Sequence, residues 1–137
     1  MITEFNGNNR WLSNFTACSV QLDGIIYPST EAAYQAAKTI IDTERLQFQS
    51  MPPGQAKRAG RHVTMRADWD SIKLSAMEDL TRQKYSTELM KFRLLNTGDV
   101  EIQEGNSWGD TFWGICGGVG QNNLGKIIMK IRQELVD

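Results

Sequence analysis

Residues 27–38 read YPSTEAAYQAAK, and they predict a helix that carries polar groups on one face and methyl groups elsewhere. Pro28 and Ser29 mark the helix start, because a Ser29 or Thr30 hydroxyl can accept hydrogen bonds from the free N–H groups of a first turn. The polar side chains fall at i, i+3, i+4 and i+7 and therefore share one face: Glu31, Tyr34, Gln35 and Lys38. Alanines fill the positions between them, so another segment or a ligand can approach closely.

A polar stripe of this kind has two interpretations. It is either a solvated face with a Glu31–Lys38 charge pattern or the polar lining of a binding site. The neighbouring segments favour the binding site, because they supply aromatic rings and a local basic cluster.

Three of these segments combine aromatic or basic residues. Residues 68–70 read DWD, and the indole between two acids either enters the core or stacks on a base or sugar. Residues 108–114 read WGDTFWG, and aromatic side chains on a glycine-bearing loop are costly unless they pack or bind something. Residues 57–62 read KRAGRH, which is either a solvated face or a phosphate anchor. We interpret His62 as a solvated or helix-end residue, with a catalytic role as the alternative.

Length and charge restrict the class of protein. The 137 residues predict one domain, residues 1–137, with a core of its own. The 15 basic and 16 acidic residues give a net charge of −1, so no global field attracts nucleic acid or an anionic membrane. Residues 1–6 lack the basic and apolar runs of a secretory signal, and no stretch approaches the roughly 20 apolar residues of a membrane span. We therefore expect a cytoplasmic protein without membrane contact.

The cysteines argue against a metal site. Cys18 and Cys116 have no CxxC spacing, and with a single histidine they exclude a standard zinc ligand set. Free thiols in a reducing compartment are the expected state. We expect neither a metal nor another cofactor.

The secondary-structure signals predict an α+β fold, a helix-rich domain packed around a small β-sheet. Residues 17–27 are expected to form a hairpin, because Asp23-Gly24 is a strong type I′ turn signal. Helices are predicted at about residues 30–41, 42–50 and 55–61.

Three further helical segments follow. A long helix is expected from Ser71, capped by Asp70, and a second segment from Ser86 to Gly98. The second segment should bury an apolar face formed by Leu89, Phe92 and Leu95. The last helix has the clearest apolar stripe, which comprises Leu124, Ile127, Ile128, Ile131 and Leu135.

Residues 120–126 read GQNNLGK and match part of a phosphate-binding P-loop. Ile127 stands where that motif needs a hydroxyl for magnesium, and only ten residues follow it, so the match is accidental as a nucleotide-hydrolysis motif. Two interpretations remain for the loop. Its N–H groups either bind an anion or form a tight turn that packs the last helix against the core.

Together, the motifs resemble the NADAR, or YbiA-like, family in order and over nearly the whole chain, from Phe5 to Ile131. The similar segments are FNG at residues 5–7, WLSNF at 11–15, DG at 23–24, YPSTEAAYQAAK at 27–38, AK at 56–57, GR at 60–61, DWD at 68–70, LLNTGD at 94–99, DTFWG at 110–114 and NLGK at 123–126. Two positions depart from the pattern. Trp11 replaces the usual phenylalanine, and Ala32 replaces a histidine that often follows the motif glutamate, so no role of that imidazole carries over.

The resemblance implies a YbiA-like fold and an N-glycosidase that cleaves a ribose C1′–N bond. It implies Glu31, Lys38 and Asp110 as catalytic residues. Glu31 would stabilise positive charge on the sugar, Asp110 would orient water or a sugar hydroxyl, and Lys38 would donate a proton or form a Schiff base. The implied substrate-binding residues are Asn14, Tyr34, Gln35, Lys57, Arg61, Trp69, Trp113 and Gly114. Among these, the two tryptophans would stack on the base or ribose, and Lys57 and Arg61 would bind phosphate.

Three functions stay open at this point. The first is hydrolysis of early phosphorylated intermediates of riboflavin biosynthesis, which we favour. The second is removal of ADP-ribose from guanine bases. The third is a non-catalytic module that binds ADP-ribose or a nucleotide, which the absence of the histidine suggests and the presence of Glu31, Lys38 and Asp110 opposes. The expected partner is thus a phosphorylated ribose-containing small molecule or an ADP-ribosylated guanine; the sequence does not predict the oligomeric state.

Overall fold

The computed structural model describes residues 1–137 and confirms the α+β class. The helices are α1 (Thr30–Ala37), α2 (Asp42–Gln47), α3 (Pro53–Ala59), α4 (Trp69–Lys84), α5 (Glu88–Leu95) and α6 (Asn123–Val136), with short 3₁₀ helices at Gly7–Leu12 and Phe48–Ser50. The strands are β1 (Ile2–Glu4), β2 (Ala17–Leu22), β3 (Ile25–Ser29), β4 (Ile102–Asn106) and β5 (Ile115–Cys116). They form two small sheets instead of one.

The chain divides into two compact units. The terminal unit comprises Met1–Ser13 and Tyr85–Asp137, and the central unit comprises Asn14–Lys84. The expectation of a single domain over residues 1–137 stays a prediction. None of the helices combines the length and the apolar composition that a membrane span needs.

The central unit starts with the predicted hairpin. Strands β2 and β3 pair antiparallel, with Leu22 opposite Ile25. Asp23 and Gly24 have φ angles of 48° and 85°, as a type I′ turn requires, so the turn prediction is confirmed. The hairpin leads directly into α1, because Ser29 ends β3 and its Oγ accepts a hydrogen bond from Ala32 N at 3.1 Å.

Helix α1 is the buried helix of the central unit. Every residue from Thr30 to Ala37 is buried, and α1 contacts both hairpin strands and helices α2, α3 and α4. The exposed fraction is only 8% for Glu31 and 4% for Gln35. The polar stripe is therefore not a solvated face. The helix ends at Ala37, earlier than the predicted 41, and Lys38 caps it.

The other helices of this unit follow the sequence signals with small differences. Helix α2 and the 3₁₀ turn after it occupy the predicted 42–50 segment. Helix α3 begins at Pro53, because proline is well suited to the first helical position, and Gly60 ends it as predicted. Helix α4 begins at Trp69, so the expected start at Ser71 behind an Asp70 cap is wrong: Asp70 lies inside the first turn.

The terminal unit is built on a parallel sheet with the strand order β1-β4-β5. Helix α6 packs on β4, and its predicted stripe is buried at Leu124, Ile127, Ile128 and Ile131. Gly125 permits this close approach, because a Cβ there would overlap the carbonyl oxygen of Ile102.

The predicted apolar face of α5 is wrong. Leu89, Phe92 and Leu95 are exposed by 60%, 67% and 41%, whereas Leu94 is fully buried. Thr87, not Ser86, caps the helix through a 3.4 Å hydrogen bond from Met90 N to its Oγ1. The helix is short and carries apolar residues on more than one face, and its contact with α6 selects the face of Leu94.

The loop before α6 is a tight turn. The N–H groups of Asn123 and Leu124 donate to the carbonyls of Phe112 and Trp113 at 3.2 and 3.0 Å, and Asn122 N donates to Gly114 O at 3.3 Å. These three N–H groups are therefore not free to bind an anion. The structure favours the packing interpretation of residues 120–126.

Candidate active site

The stripe on α1 contains a fixed carboxylate. The Gln35 side chain donates from Nε2 to Glu31 Oε1 at 2.8 Å. The backbone N–H of Glu31 donates to Asn14 O at 3.2 Å, and the Asn14 side chain donates to the Met77 sulfur at 3.5 Å. Asn14, predicted to bind substrate, thus contacts the start of α1 through its backbone.

Lys38 lies at the C-terminal end of the same stripe and is half-buried. Its Nζ is 5.5 Å from the centroid of the Tyr34 ring, which is the geometry of a cation–π contact. Burial lowers the pKa of the Lys38 amine, the Glu31 carboxylate opposes this shift, and the positive charge of Arg61 adds to it. Burial dominates, so deprotonation of this amine is easier than for an ordinary lysine.

An aromatic pair covers this part of α1. The ring centroids of Tyr34 and Trp69 are 5.3 Å apart, with an interplanar angle of 57°. Trp69 is 6% exposed at the start of α4, and the preceding Asp68 forms an ion pair with Arg66 at 2.6 Å. The backbone N–H of Arg66 in turn donates to Lys38 O at 2.7 Å. Trp69 therefore joins the predicted site, as a packed ring rather than an open stacking platform.

The basic cluster lies at the C-terminal end of α3. Lys57 is half-buried and Arg61 is exposed one turn later. Because Arg61 affects the pKa of Lys38, its charge acts on the same site. His62 is exposed, as expected for a solvated histidine. The structure thus brings together Glu31, Tyr34, Gln35, Lys38, Arg61 and Trp69 of the predicted residues in the central unit.

Asp110, Trp113 and Gly114 belong to the terminal unit, where they order the loop before β5. Asp110 Oδ1 accepts hydrogen bonds from Phe112 N at 3.1 Å and Trp113 N at 2.9 Å. Phe112 and Trp113 make an edge-to-face contact at 4.8 Å. Gly114 packs against Glu104, because a Cβ at residue 114 would overlap the backbone oxygen and the carboxylate of Glu104. The predicted roles of these three residues toward a substrate stay predictions.

Sequence reasoning missed a second buried lysine in the central unit. Lys84 is 2% exposed, and burial lowers the pKa of its amine to about 8. The electrostatic interaction with Cys18 opposes this shift. A signal was present, because Lys84 continues a buried helical stripe formed by Met77, Leu80 and Thr81. Gly60 was also read only as a helix stop, although it lies against the side chain of Gln35.

The arrangement in the central unit has a definite chemistry. It combines a carboxylate, an amine of lowered pKa and one aromatic ring along α1 with a second ring from α4 and with a nearby arginine. A carboxylate stabilises a developing cation, an amine transfers protons or forms an imine, and an arginine binds phosphate. No group of three or more His, Cys, Asp or Glu side chains is placed to hold a metal ion.

Comparisons with known proteins find relatives of nearly the whole chain. Residues 3–136 match the NADAR domain family. A riboflavin biosynthesis protein of Vibrio vulnificus is 38% identical over 135 residues, which are 93% of this chain but only 36% of that protein. The N-glycosidase YbiA of Escherichia coli is 31% identical over 128 residues, or 90% of this chain and 79% of that protein. An N-glycosidase of Nostoc punctiforme is 33% identical over 132 residues, or 90% of this chain and 83% of that protein.

The fold is similar to a solved structure as well. The NMR structure of Escherichia coli YbiA matches with a TM-score of 0.84 and 28% sequence identity, covering 98% of this chain and 83% of that one. The resemblance inferred from the ordered motifs is thereby confirmed.

Proposed function

The chain belongs to the NADAR domain family, and on this premise we propose that it is an N-glycosidase that hydrolyses the ribose C1′–N bond of a phosphorylated substrate. The substrates that we favour are early phosphorylated intermediates of riboflavin biosynthesis. The name of the Vibrio relative supports this choice, and the names of the YbiA and Nostoc relatives support the bond class.

Glu31 is the proposed electrostatic catalyst. Cleavage of the C1′–N bond develops positive charge on C1′ and on the ring oxygen of the sugar. A carboxylate that is already fixed beside these atoms stabilises that charge without reorganising during the reaction. Glu31 meets this demand because it is buried and its Oε1 accepts a hydrogen bond from Gln35. The role of Asp110 in orienting the attacking water rests on the family resemblance alone.

Lys38 has two proposed roles, which require opposite protonation states. As an ammonium group, it donates a proton to the leaving nitrogen and is reprotonated from water. As a neutral amine, it adds to C1′ of the ring-opened ribosylamine, which is an imine to the base; the base leaves as its free amine, and water hydrolyses the resulting Lys38 imine to the free lysine and the sugar. The lowered pKa supports either role, because it makes both states accessible closer to neutral pH.

Substrate recognition is proposed to use charge and aromatic contact. Arg61, with Lys57 one turn earlier, is the proposed phosphate contact, since guanidinium and ammonium groups form charge-assisted hydrogen bonds to phosphate oxygens. Tyr34 and Trp69 supply apolar surface beside the sugar. Trp113 and Gly114 stay candidates from the resemblance.

The observation that carries the proposal is that one stripe holds both Glu31, which is buried in α1, and Lys38, which caps this helix and has an amine of lowered pKa. The test incubates the purified chain separately with a phosphorylated riboflavin intermediate and with guanosine that carries ADP-ribose. Products are identified by mass spectrometry. Release of ribose 5-phosphate supports the proposal, and release of ADP-ribose from guanosine alone supports the alternative substrate. Saturable binding of either compound without cleavage contradicts an enzyme and favours the binding module.

A further inference from the structure

The side-chain carbonyl oxygen of Gln35 is buried in the central unit without a hydrogen-bond partner. The Gln35 side chain is 4% exposed, and its Oε1 makes no hydrogen bond, whereas its Nε2 donates to Glu31 Oε1 at 2.8 Å. A buried carbonyl oxygen without a donor costs folding free energy. An apolar side chain of similar length, such as methionine, would avoid this cost.

The chemistry of the pair fixes the orientation of the amide. An ionised carboxylate is only an acceptor, so the NH₂ end of Gln35 must face Glu31, and the carbonyl end must then point away. In that direction the amide meets the backbone of Gly60, and a Cβ at residue 60 would overlap Gln35 Oε1 and the carbon that bears it. The absence of a side chain at Gly60 therefore makes room for the amide in this orientation.

We propose that Gln35 is a positioning residue, which holds one carboxylate oxygen of Glu31 so that the group keeps a single orientation toward the sugar, and that Gly60 confines the amide in this place. This inference rests on the proposed function and replaces the predicted substrate contact of Gln35. This role accounts for the unpaired Oε1. The NH₂ end of the amide is needed to donate to Glu31, and the carbonyl end is left without a donor as a consequence.

Backbone geometry makes Gly60 a clean test position. Its φ and ψ are −61° and −18°, which alanine adopts without strain, so any effect of Gly60→Ala comes from the new Cβ. Gly54 provides the matched control on the same helix, because a Cβ there meets only Arg58 Nη1 at an ordinary 3.8 Å. A change that appears in Gly60→Ala and not in Gly54→Ala therefore reports the contact with Gln35.

The kinetic experiment compares Gln35→Met, Gly60→Ala and Gly54→Ala. For the first two variants, we expect kcat to fall by about 10- to 100-fold, the usual effect of removing a partner that orients a functional group, with KM changed less than twofold. Gly54→Ala should match the wild type. A rise in KM with unchanged kcat in Gln35→Met would assign Gln35 to substrate binding and overturn the proposal.

A double variant tests whether the two positions act together. In a Gln35→Ala background there is no long side chain for the Cβ to displace, so Gly60→Ala should lower kcat by less than about twofold further. An equal loss in both backgrounds would show that Gly60 acts without Gln35, and would also overturn the proposal.

A readout without activity separates this inference from the proposed function. The Glu31 carboxyl carbon, followed by ¹³C NMR, should titrate at higher pH in Gln35→Met and in Gly60→Ala, because a lost hydrogen bond to the ionised group disfavours that form. The charged neighbours Lys38 and Arg61 are the same in all variants, and Gly54→Ala should titrate like the wild type. If the chain cleaves no ribosylated substrate, the proposed function fails while this titration still decides the role of Gln35. Unchanged titration in both variants refutes it.

Discussion

The buried Lys84 predicts a pH dependence of stability with a definite sign. Burial lowers its pKa from 10.5 to about 8 in the folded chain, so the folded state disfavours the charged amine. Between pH 8 and 10.5 the unfolded chain binds a proton at this residue and the folded chain does not. The free energy of unfolding must therefore rise with pH through this window. A difference of about 2.5 units at 1.36 kcal/mol each gives about 3 kcal/mol in total.

The assay is urea unfolding between pH 7 and 11 of the wild type and of Lys84→Met. We expect the free energy of unfolding of the wild type to rise by about 3 kcal/mol relative to that of the variant across the window. A constant difference in stability between the two proteins at pH 7 does not affect this comparison. Lys126 is an exposed lysine on α6, and Lys126→Met should keep the wild-type dependence. Parallel curves for the wild type and Lys84→Met would refute the assignment of a depressed pKa to Lys84.

Three other perturbations test phosphate recognition, the covalent route at Lys38 and the orientation of α5. Arg61→Ala should weaken binding of a phosphorylated substrate by about 1.5–3 kcal/mol and so raise its KM, whereas the KM of a dephosphorylated analogue should not change. Arg58→Ala is the control, and equal rises of KM for both compounds would make Arg61 structural. Borohydride added during turnover should fix a stable adduct on Lys38 if the amine forms a Schiff base, as peptide mapping would show, and turnover without an adduct would exclude the covalent route. In urea unfolding, Phe92→Ser should change the free energy of unfolding by less than about 0.5 kcal/mol, because Phe92 is exposed. Leu94→Ala should lower it by about 2–5 kcal/mol, because Leu94 is buried. The reverse order would contradict the observed orientation of α5.

Local signals in the sequence predicted the part of the fold that carries the stripe. The Asp23-Gly24 turn and the Ser29 cap depend only on neighbouring residues, so a few consecutive residues determine their geometry. The burial of Ile127 and Ile131 likewise follows from a long amphipathic period in α6. Such features need no knowledge of distant segments.

Features that depend on distant segments were missed or misread. Ile2 pairs with Ile102, and Gly105 pairs with Ile115, in parallel strands. Local sequence patterns do not predict which distant segments pair in this way. The apolar face of α5 was misread because a short helix with several apolar residues fits more than one orientation. Within the site, the stripe on α1 could be predicted, but the contact between Gln35 and Gly60 could not, since it requires the packing of α3 on α1.

The catalytic role of Glu31 is tested by the rate of C1′–N cleavage in Glu31→Gln, with Glu88→Gln as the matched control. The Glu88 side chain is 97% exposed, so its replacement should leave the rate unchanged. The wild-type chain and the control should cleave the phosphorylated riboflavin intermediate at the same rate, and each should release one ribose 5-phosphate per free base. Glu31→Gln should cleave it about a hundredfold or more slowly, because one preorganised carboxylate at the developing cation is lost. Wild-type kcat in a folded Glu31→Gln would contradict the claim that this carboxylate drives the reaction.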